Sequence, residues 1–154
     1  MKNLDNIAPI LNQYLHEHIP ITKAMGCIVK FASPDKVIIA APFSNNINHK
    51  QSVFGGSLHA IATLACWGLL YSNFMELLGS IDIVITRSEI NYHKPVTKDF
   101  EAICFKADPE NWEKLKNISL HKKGKGRICL NAVIRENEKV AVAYQGEFAV
   151  IKRR

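Results

Sequence analysis

The segment 57–78, from Ser57 to Leu78, runs almost without charge and is apolar on nearly every side of a helical wheel. Ala60, Ala62, Ala65 and Gly68 recur along it, and small residues of this kind let a neighbouring backbone come close. A helix that is apolar all round must be enclosed. Ser57, His59, Thr63, Ser72 and Asn73 break the run into apolar pieces shorter than the roughly 18 residues a membrane span requires. The segment therefore reads as the core helix of a globular domain, and the rest of the chain must supply what covers it.

Most of that rest reads as strand. Met25–Ala32 and Lys36–Phe43, joined by Ser33-Pro34-Asp35, form a hairpin pattern. In the run 81–93 the alternation slips near Arg87. Ile81, Ile83 and Ile85 fall on one face and Ser88, Ile90 and Tyr92 on the other, so a bulge or bend is expected there. Phe100–Lys106 follows, then a short helix over Asn111–Lys116 opened by Asp108-Pro109, where Asp suits the cap and Pro the first turn. Arg127–Arg135 and Lys139–Ile151 make a second hairpin about Glu136-Asn137-Glu138. At the front, residues 1–19 contain an amphipathic helix (Leu4, Ile7, Leu11, Tyr14, Leu15, His18) that Pro20 ends. The order predicts a single α+β domain over 1–154, a largely antiparallel sheet curled round one helix. Such a sheet leaves an edge or face open, so pairing with a second copy is expected.

Composition narrows the class. With 154 residues, 47% hydrophobic and 22% charged, the chain is neither disordered nor a disulfide-stapled miniprotein. An acid stands among its first residues and no apolar block follows, so no signal peptide is read and the cytoplasm is the expected location. Cys27, Cys66, Cys104 and Cys129 are scattered within apolar segments and have no His at ligand spacing. They read as small reduced hydrophobes, and no metal is expected. The formal charge of +6 favours anionic partners. The basic clusters His121–Arg127 and Lys152–Arg154 lack interleaved aromatics, which argues against nucleic acid and for a solvated loop and tail.

The segment richest in chemistry opens the core helix: Asn48, five residues, then Phe54-Gly55-Gly56-Ser57. Paired glycines at a helix start let a ligand approach the backbone. First-turn amides lack intrahelical acceptors, and the helix dipole adds positive potential, so the spot suits a phosphate or a developing oxyanion. The competing reading gives the glycines a packing role only. Asn45, Asn46 and Asn48 suit turns, and an Asn amide also donates to a carbonyl without a charge penalty.

The spacing Asn48-x5-Phe54-Gly55-Gly56 resembles the Asn-x5-His-Gly-Gly motif of the hotdog-fold thioesterase superfamily. Ile90-Asn91-Tyr92-His93-Lys94-Pro95-Val96 followed by Asp99-Phe100-Glu101-Ala102 is similar to that superfamily's strand-turn-strand signature. Ala41-Pro42-Phe43, Asn46 to Lys50, Val53 to Leu58 and Trp67-Gly68 resemble a narrower branch that includes malonyl-ACP decarboxylases. The resemblance implies a hotdog fold and a homodimer with sites near its interface. It also implies an acyl thioester of acyl carrier protein (ACP) or coenzyme A as substrate, with no cofactor beyond the phosphopantetheine that the substrate carries. Carried onto this chain, it points to Asn48, Gly55, Gly56 and Thr63 as catalytic, with Asn46, Phe54, Ser57 and His59 as binding residues. Two positions depart from the pattern. Phe54 stands where many relatives have His, and Thr63 where hydrolytic relatives place a catalytic Asp.

Without that carboxylate, water has no obvious general base. Glu76 lies too far along the helix, and Glu89 reaches a cleft only if the strand bend turns it inward. A His59–Thr63 pair, one helical turn apart, is the remaining candidate for holding a water. Loss of CO2 from a malonyl thioester needs only donors for the enolate oxygen. The first expectation is therefore malonyl-ACP decarboxylation to acetyl-ACP, which would prime fatty acid synthesis. Thioester hydrolysis comes second and a non-catalytic acyl-carrier binding module third. Lys94, Arg127 and the Lys152–Arg154 tail are the candidate contacts to an acidic carrier.

Overall fold

The computed structural model describes residues 6–119 and 124–153. Its elements are α1 (Ala8–His18), α2 (Ile21–Ala24), β1 (Ile28–Ala32), β2 (Lys36–Ala41), α3 (Gly55–Asn73), β3 (Ile81–Tyr92), β4 (Phe100–Phe105), α4 (Pro109–Ser119), β5 (Lys125–Glu136) and β6 (Lys139–Lys152). The six strands form one sheet in the order β1-β2-β4-β5-β6-β3, antiparallel throughout. The inner face carries Val37 and Ile39 from β2, Ala102 and Cys104 from β4, Leu130 and Ile134 from β5, and Phe148 and Val150 from β6. This face closes on α3, whose Ile61, Ala65, Leu69 and Leu70 are fully buried. At Gly68 an added Cβ would meet Leu11 Cδ2 at 3.0 Å and Val37 Cγ1 at 3.3 Å, so that glycine is where α1 and β2 press on the helix.

The hairpins expected from sequence are present, and four expectations need correction. First, the core helix begins at Gly55, two residues earlier than the hydrophobic run implies, and ends at Asn73, ahead of a 3-10 turn at Met75–Leu77. Nor is it covered on every side: His59, Thr63 and Trp67, at four-residue spacing, share a stripe that is only half-buried. Second, the bulge on β3 falls between Ile85 and Arg87, and it restores the phase of the strand. Ile83 and Ile85 pair with Val150 and Phe148, while Ser88 and Ile90 pair with Gly146 and Tyr144, so both sets lie on the inner face. Third, Cys129 is exposed whereas the other three cysteines are buried. Fourth, α4 runs longer than expected, and Asp108 ahead of it has φ 54°, a left-handed value that Asp tolerates, in place of extended cap geometry. Leu4 and the basic residues 121–123 lie outside the described residues.

The two sheet edges are treated differently. Along β1, the Ile7 N–H donates to the Ala32 carbonyl at 2.8 Å, and the Val29 N–H donates to Asn12 Oδ1 at 2.9 Å. His16 Nε2 reaches the Cys27 carbonyl at 2.8 Å. The N-terminal helix therefore caps this edge, a role the sequence alone left undecided. On β3, at the other edge, Val84 is 40% exposed, Ile85 42% and Tyr92 51%, with no strand paired beyond it among the described residues. Exposed apolar edges of this length invite pairing.

Candidate active site

The turn before α3 is built by asparagines. Asn46 is 3% exposed, and its amide donates to the carbonyls of Met25 (2.9 Å) and Pro42 (2.8 Å). Its own backbone carbonyl accepts the Phe54 N–H at 2.7 Å, which fixes where the helix starts. Its side-chain oxygen Oδ1 is buried without a partner among the described residues. Asn48 closes the small loop inside this turn. Its carboxamide oxygen accepts the N–H groups of Lys50 (2.9 Å) and Ser52 (3.1 Å), and its amide donates to Ser52 Oγ at 3.0 Å. One amide N–H of Asn48 is left over.

The helix start then offers a defined pair of donors. The Ser57 and Leu58 N–H groups are both given to the Phe54 carbonyl, at 3.0 and 3.2 Å. Phe54, the residue before the helix, has no side chain to cap it. The Gly55 and Gly56 amides find no acceptor among the described residues, and they stand at the positive end of a 19-residue helix.

The packing reading of these glycines fails on geometry. A Cβ on Gly55 would have the Tyr92 ring as its nearest neighbour, at an ordinary 3.5 Å, and one on Gly56 would clash first with the Phe54 ring, at 2.4 Å. That ring is 58% exposed and free to swing away. Neither residue has the positive φ that demands glycine, unlike Gly26 at +68°. Tyr92 also donates its hydroxyl to the Gly55 carbonyl at 3.1 Å, which anchors the end of β3 to the start of α3.

One turn along α3 lies a chain of polar side chains. His59 Nε2 is 3.0 Å from Ser88 Oγ, and its ring meets Tyr144 edge-on at 5.3 Å. Thr63 Oγ1 lies 2.9 Å from both the His59 carbonyl and the Tyr144 hydroxyl, and 3.5 Å from His59 Nδ1. A threonine has one proton to give. With that proton on the carbonyl, which has none of its own, Tyr144 donates to Thr63 and every group is satisfied. Burial pushes the Tyr144 hydroxyl up to about 12, so it holds its proton at neutral pH. Gly146, opposite Ser88, makes room for it, since a Cβ there would sit 2.7 Å from the Tyr144 oxygen.

A cleft of about 480 Å³ opens beside this chain, lined by Ile19, Met25, His59, Thr63, Ile85 and Ser88 among others. Arg87 lines it too, and no carboxylate does among the described residues. Glu76 is exposed beyond the end of α3, and Glu89 pairs with Gln145 on the outer face, so the bulge does not turn it inward. Burial raises the Cys27 thiol to about 12 and the Cys66 thiol well above its ordinary value, and neither is a thiolate at neutral pH. No group of metal-ligating side chains forms among the described residues.

Of the residues singled out in sequence, Gly55, Gly56, Phe54 and Ser57 gather at the helix start, with His59 and Thr63 one and two turns on. Asn46 and Asn48 build the turn beneath them. Ser88, Tyr144 and Gly146 were not anticipated. The alternation of β6 already puts Tyr144 and Gly146 on the buried face, but nothing local says that they meet Thr63.

The family model described as "Putative thioesterase (yiiD_Cterm)" matches residues 8–152. The chain belongs to this family. Among solved structures, a Chlorobaculum tepidum protein of unknown function is 33% identical over 96% of this chain and 95% of its own, with a TM-score of 0.86. A Shewanella oneidensis protein described as a "putative thioesterase" is 24% identical over 97% and 98%, with a TM-score of 0.76. A Pseudomonas aeruginosa protein described as a "probable thioesterase" is 17% identical over 94% and 95%, with a TM-score of 0.81. The fold is the hotdog fold of the thioesterase superfamily, and the family supports a thioester-processing enzyme.

Proposed function

We propose that this protein decarboxylates malonyl-ACP, leaving acetyl-ACP with its thioester intact. One observation carries the reading: among the described residues, two backbone donors without acceptors open α3, and no carboxylate lines the cleft that His59 and Thr63 reach one and two turns on. When the bond to the carboxylate breaks, its electron pair passes into an enolate whose charge rests on the thioester oxygen. The Gly55 and Gly56 amides, with the spare N–H of Asn48, are the donors for that oxygen. Each well-aimed donor is worth on the order of 3 kcal/mol in a transition state. Arg87 is the charged side chain among the residues that line the cleft, a counter-charge for the malonyl carboxylate before it leaves. The α-carbon regains a proton from water or from the Thr63–Tyr144 hydroxyl pair. Thioester hydrolysis is the second reading, supported by the 3.0 Å contact of His59 with Ser88, in which His59 would serve as base for water.

The same reading makes the partner an acidic carrier in the cytoplasm, met by Lys94 just beyond Tyr92. Arg127 and Arg153 are already paired, with Glu147 at 3.7 Å and Asp82 at 2.7 Å. It also makes the working unit a dimer joined along the open β3 edge, since α1 blocks the other edge. No helix among the described residues is long and apolar enough to cross a membrane.

Mass spectrometry of the carrier after incubation with the protein tests the function. Malonyl-ACP converted to acetyl-ACP supports decarboxylation. Carrier with a free thiol means hydrolysis, and no change with any acyl-ACP or acyl-CoA leaves a binding module.

A further inference from the structure

The bulge on β3 sets two residues, Thr86 and Arg87, opposite a single residue of β6, Glu147. Thr86 takes that acid: its hydroxyl lies 2.8 Å from Glu147 Oε1 and 3.1 Å from the Glu147 carbonyl. Arg127 of β5 adds an ion pair to the same carboxylate oxygen at 3.7 Å. The carboxylate that the register assigns to Arg87 is therefore already engaged, and the Arg87 guanidinium makes no ion pair among the described residues.

The position of this spare charge matters. Arg87 lines both the cleft beside α3 and a hollow of about 370 Å³ on the outer face of the sheet, so its side chain stands at the edge of β3 between the two. Glu89 and Glu147 line only the outer hollow, beyond ion-pair distance, and no Lys or carboxylate shares the cleft with Arg87 among the described residues. Ser88, the next residue, bonds His59, which follows Gly55 and Gly56 by one turn of α3. Helix side chains lean toward the N-terminus, which carries the His59 ring back toward those glycines. An arginine side chain spans roughly 7 Å when extended, more than the rise of about 5.4 Å in one helical turn. From its place on β3 level with His59, the Arg87 guanidinium therefore reaches the start of α3.

We infer that Arg87 makes this a site for carboxyacyl thioesters, holding the substrate by its free carboxylate and losing that hold once CO2 has left. The inference rests on the reading that Gly55 and Gly56 hold the thioester carbonyl. In a malonyl group a single carbon separates that carbonyl from the carboxylate, so a group held by the glycine amides presents its charge within reach of Arg87. A guanidinium meets a carboxylate through two parallel hydrogen bonds. The pairing is stronger with the carboxylate of bound substrate than with the nearly neutral CO2 of the transition state, so it serves binding and not the bond-breaking step. The acetyl product has no charge for Arg87 to hold and leaves more readily than the substrate. Acyl groups derived from dicarboxylic acids fit this site, and acyl groups that end in a methyl group do not gain from it.

The test is calorimetric binding of acyl-pantetheine analogues in which an amide nitrogen replaces the thioester sulfur, so that the result does not depend on whether the enzyme decarboxylates or hydrolyses. The acyl groups are malonyl, its neutral carboxamide isostere and acetyl, and the proteins are the wild type, Arg87→Gln and Arg87→Lys. The wild type is expected to bind the malonyl analogue about tenfold tighter than either neutral one. In Arg87→Gln the three affinities fall within about twofold of one another, with those of the neutral pair unmoved. Arg87→Lys, a point charge without the planar fork, keeps a preference of about threefold. A wild type that does not distinguish malonyl from its carboxamide overturns the inference without recourse to any variant. A preference that survives intact in a folded Arg87→Gln also overturns it. Failure of every analogue to bind, acetyl included, overturns the thioester reading itself.

Discussion

Replacing Gly56 by alanine separates a functional glycine from a structural one. Alanine favours a helix over glycine by up to about 1 kcal/mol. Against this, the new Cβ stands 2.4 Å from Cε1 and 2.8 Å from Cζ of Phe54, so the ring must turn away. The ring is already 58% exposed, and giving up its remaining burial costs about 1 kcal/mol. The two effects cancel, and Tm is expected to stay within about 4 °C of the wild type by differential scanning fluorimetry. Turnover is a different matter. The methyl group and the displaced ring crowd the amide proposed to receive the thioester oxygen. Loss of one such donor removes about 3 kcal/mol, a fall of roughly a hundredfold in the conversion of malonyl-ACP. Wild-type turnover with an unchanged Tm would refute the donor role. A drop in Tm well beyond 10 °C would show that the glycine is needed for the fold after all.

Three further outcomes follow from the same geometry. Gly68→Ala crowds two fully buried side chains, Leu11 and Val37, and the overpacking outweighs the gain in helix propensity. Urea denaturation is expected to show a net loss of about 1 kcal/mol. Asn46→Ala strips the Met25 and Pro42 carbonyls of their buried donor, and the same assay should register a loss of about 2 kcal/mol. Burial raises Tyr144 from 10.0 to about 12, so its contribution to stability is intact below pH 10 and is lost as pH rises through 12. In Tyr144→Phe the decline between pH 10 and 12 becomes shallower, by at most about 1.4 kcal/mol per pH unit. An identical alkaline profile would contradict the buried-hydroxyl account.

How much of this was readable beforehand depended on whether the signal was local. The two hairpins and the core helix announce themselves through alternation and through Ser57–Leu78, because turn residues and periodicity are properties of neighbouring positions. Helix boundaries were displaced for the same reason: Gly55 and Gly56 carry no hydrophobic signal, yet they form the first turn. The slip near Arg87 gave away the bulge on β3 but not its effect. Strict alternation puts Ser88 opposite Ile85, whereas the bulge returns it to the inner face, where it meets His59. Contacts between distant segments left no local trace. The bond from Tyr144 to Thr63 spans 81 positions, and the capping of β1 by Asn12 depends on where α1 docks. Cys129 misled because a β5 residue between Ile128 and Leu130 looks buried, while alternation turns it to the exposed face.

The central claim is that the site breaks a carbon–carbon bond and spares the thioester. Malonyl-ACP labelled at its free carboxyl carbon tests this directly, with label and carrier thiol followed in one reaction. The account predicts that the label leaves as CO2 while the carrier thiol stays blocked by an acetyl group. Label retained in free malonate, with the carrier thiol exposed, would contradict it and make the protein a hydrolase.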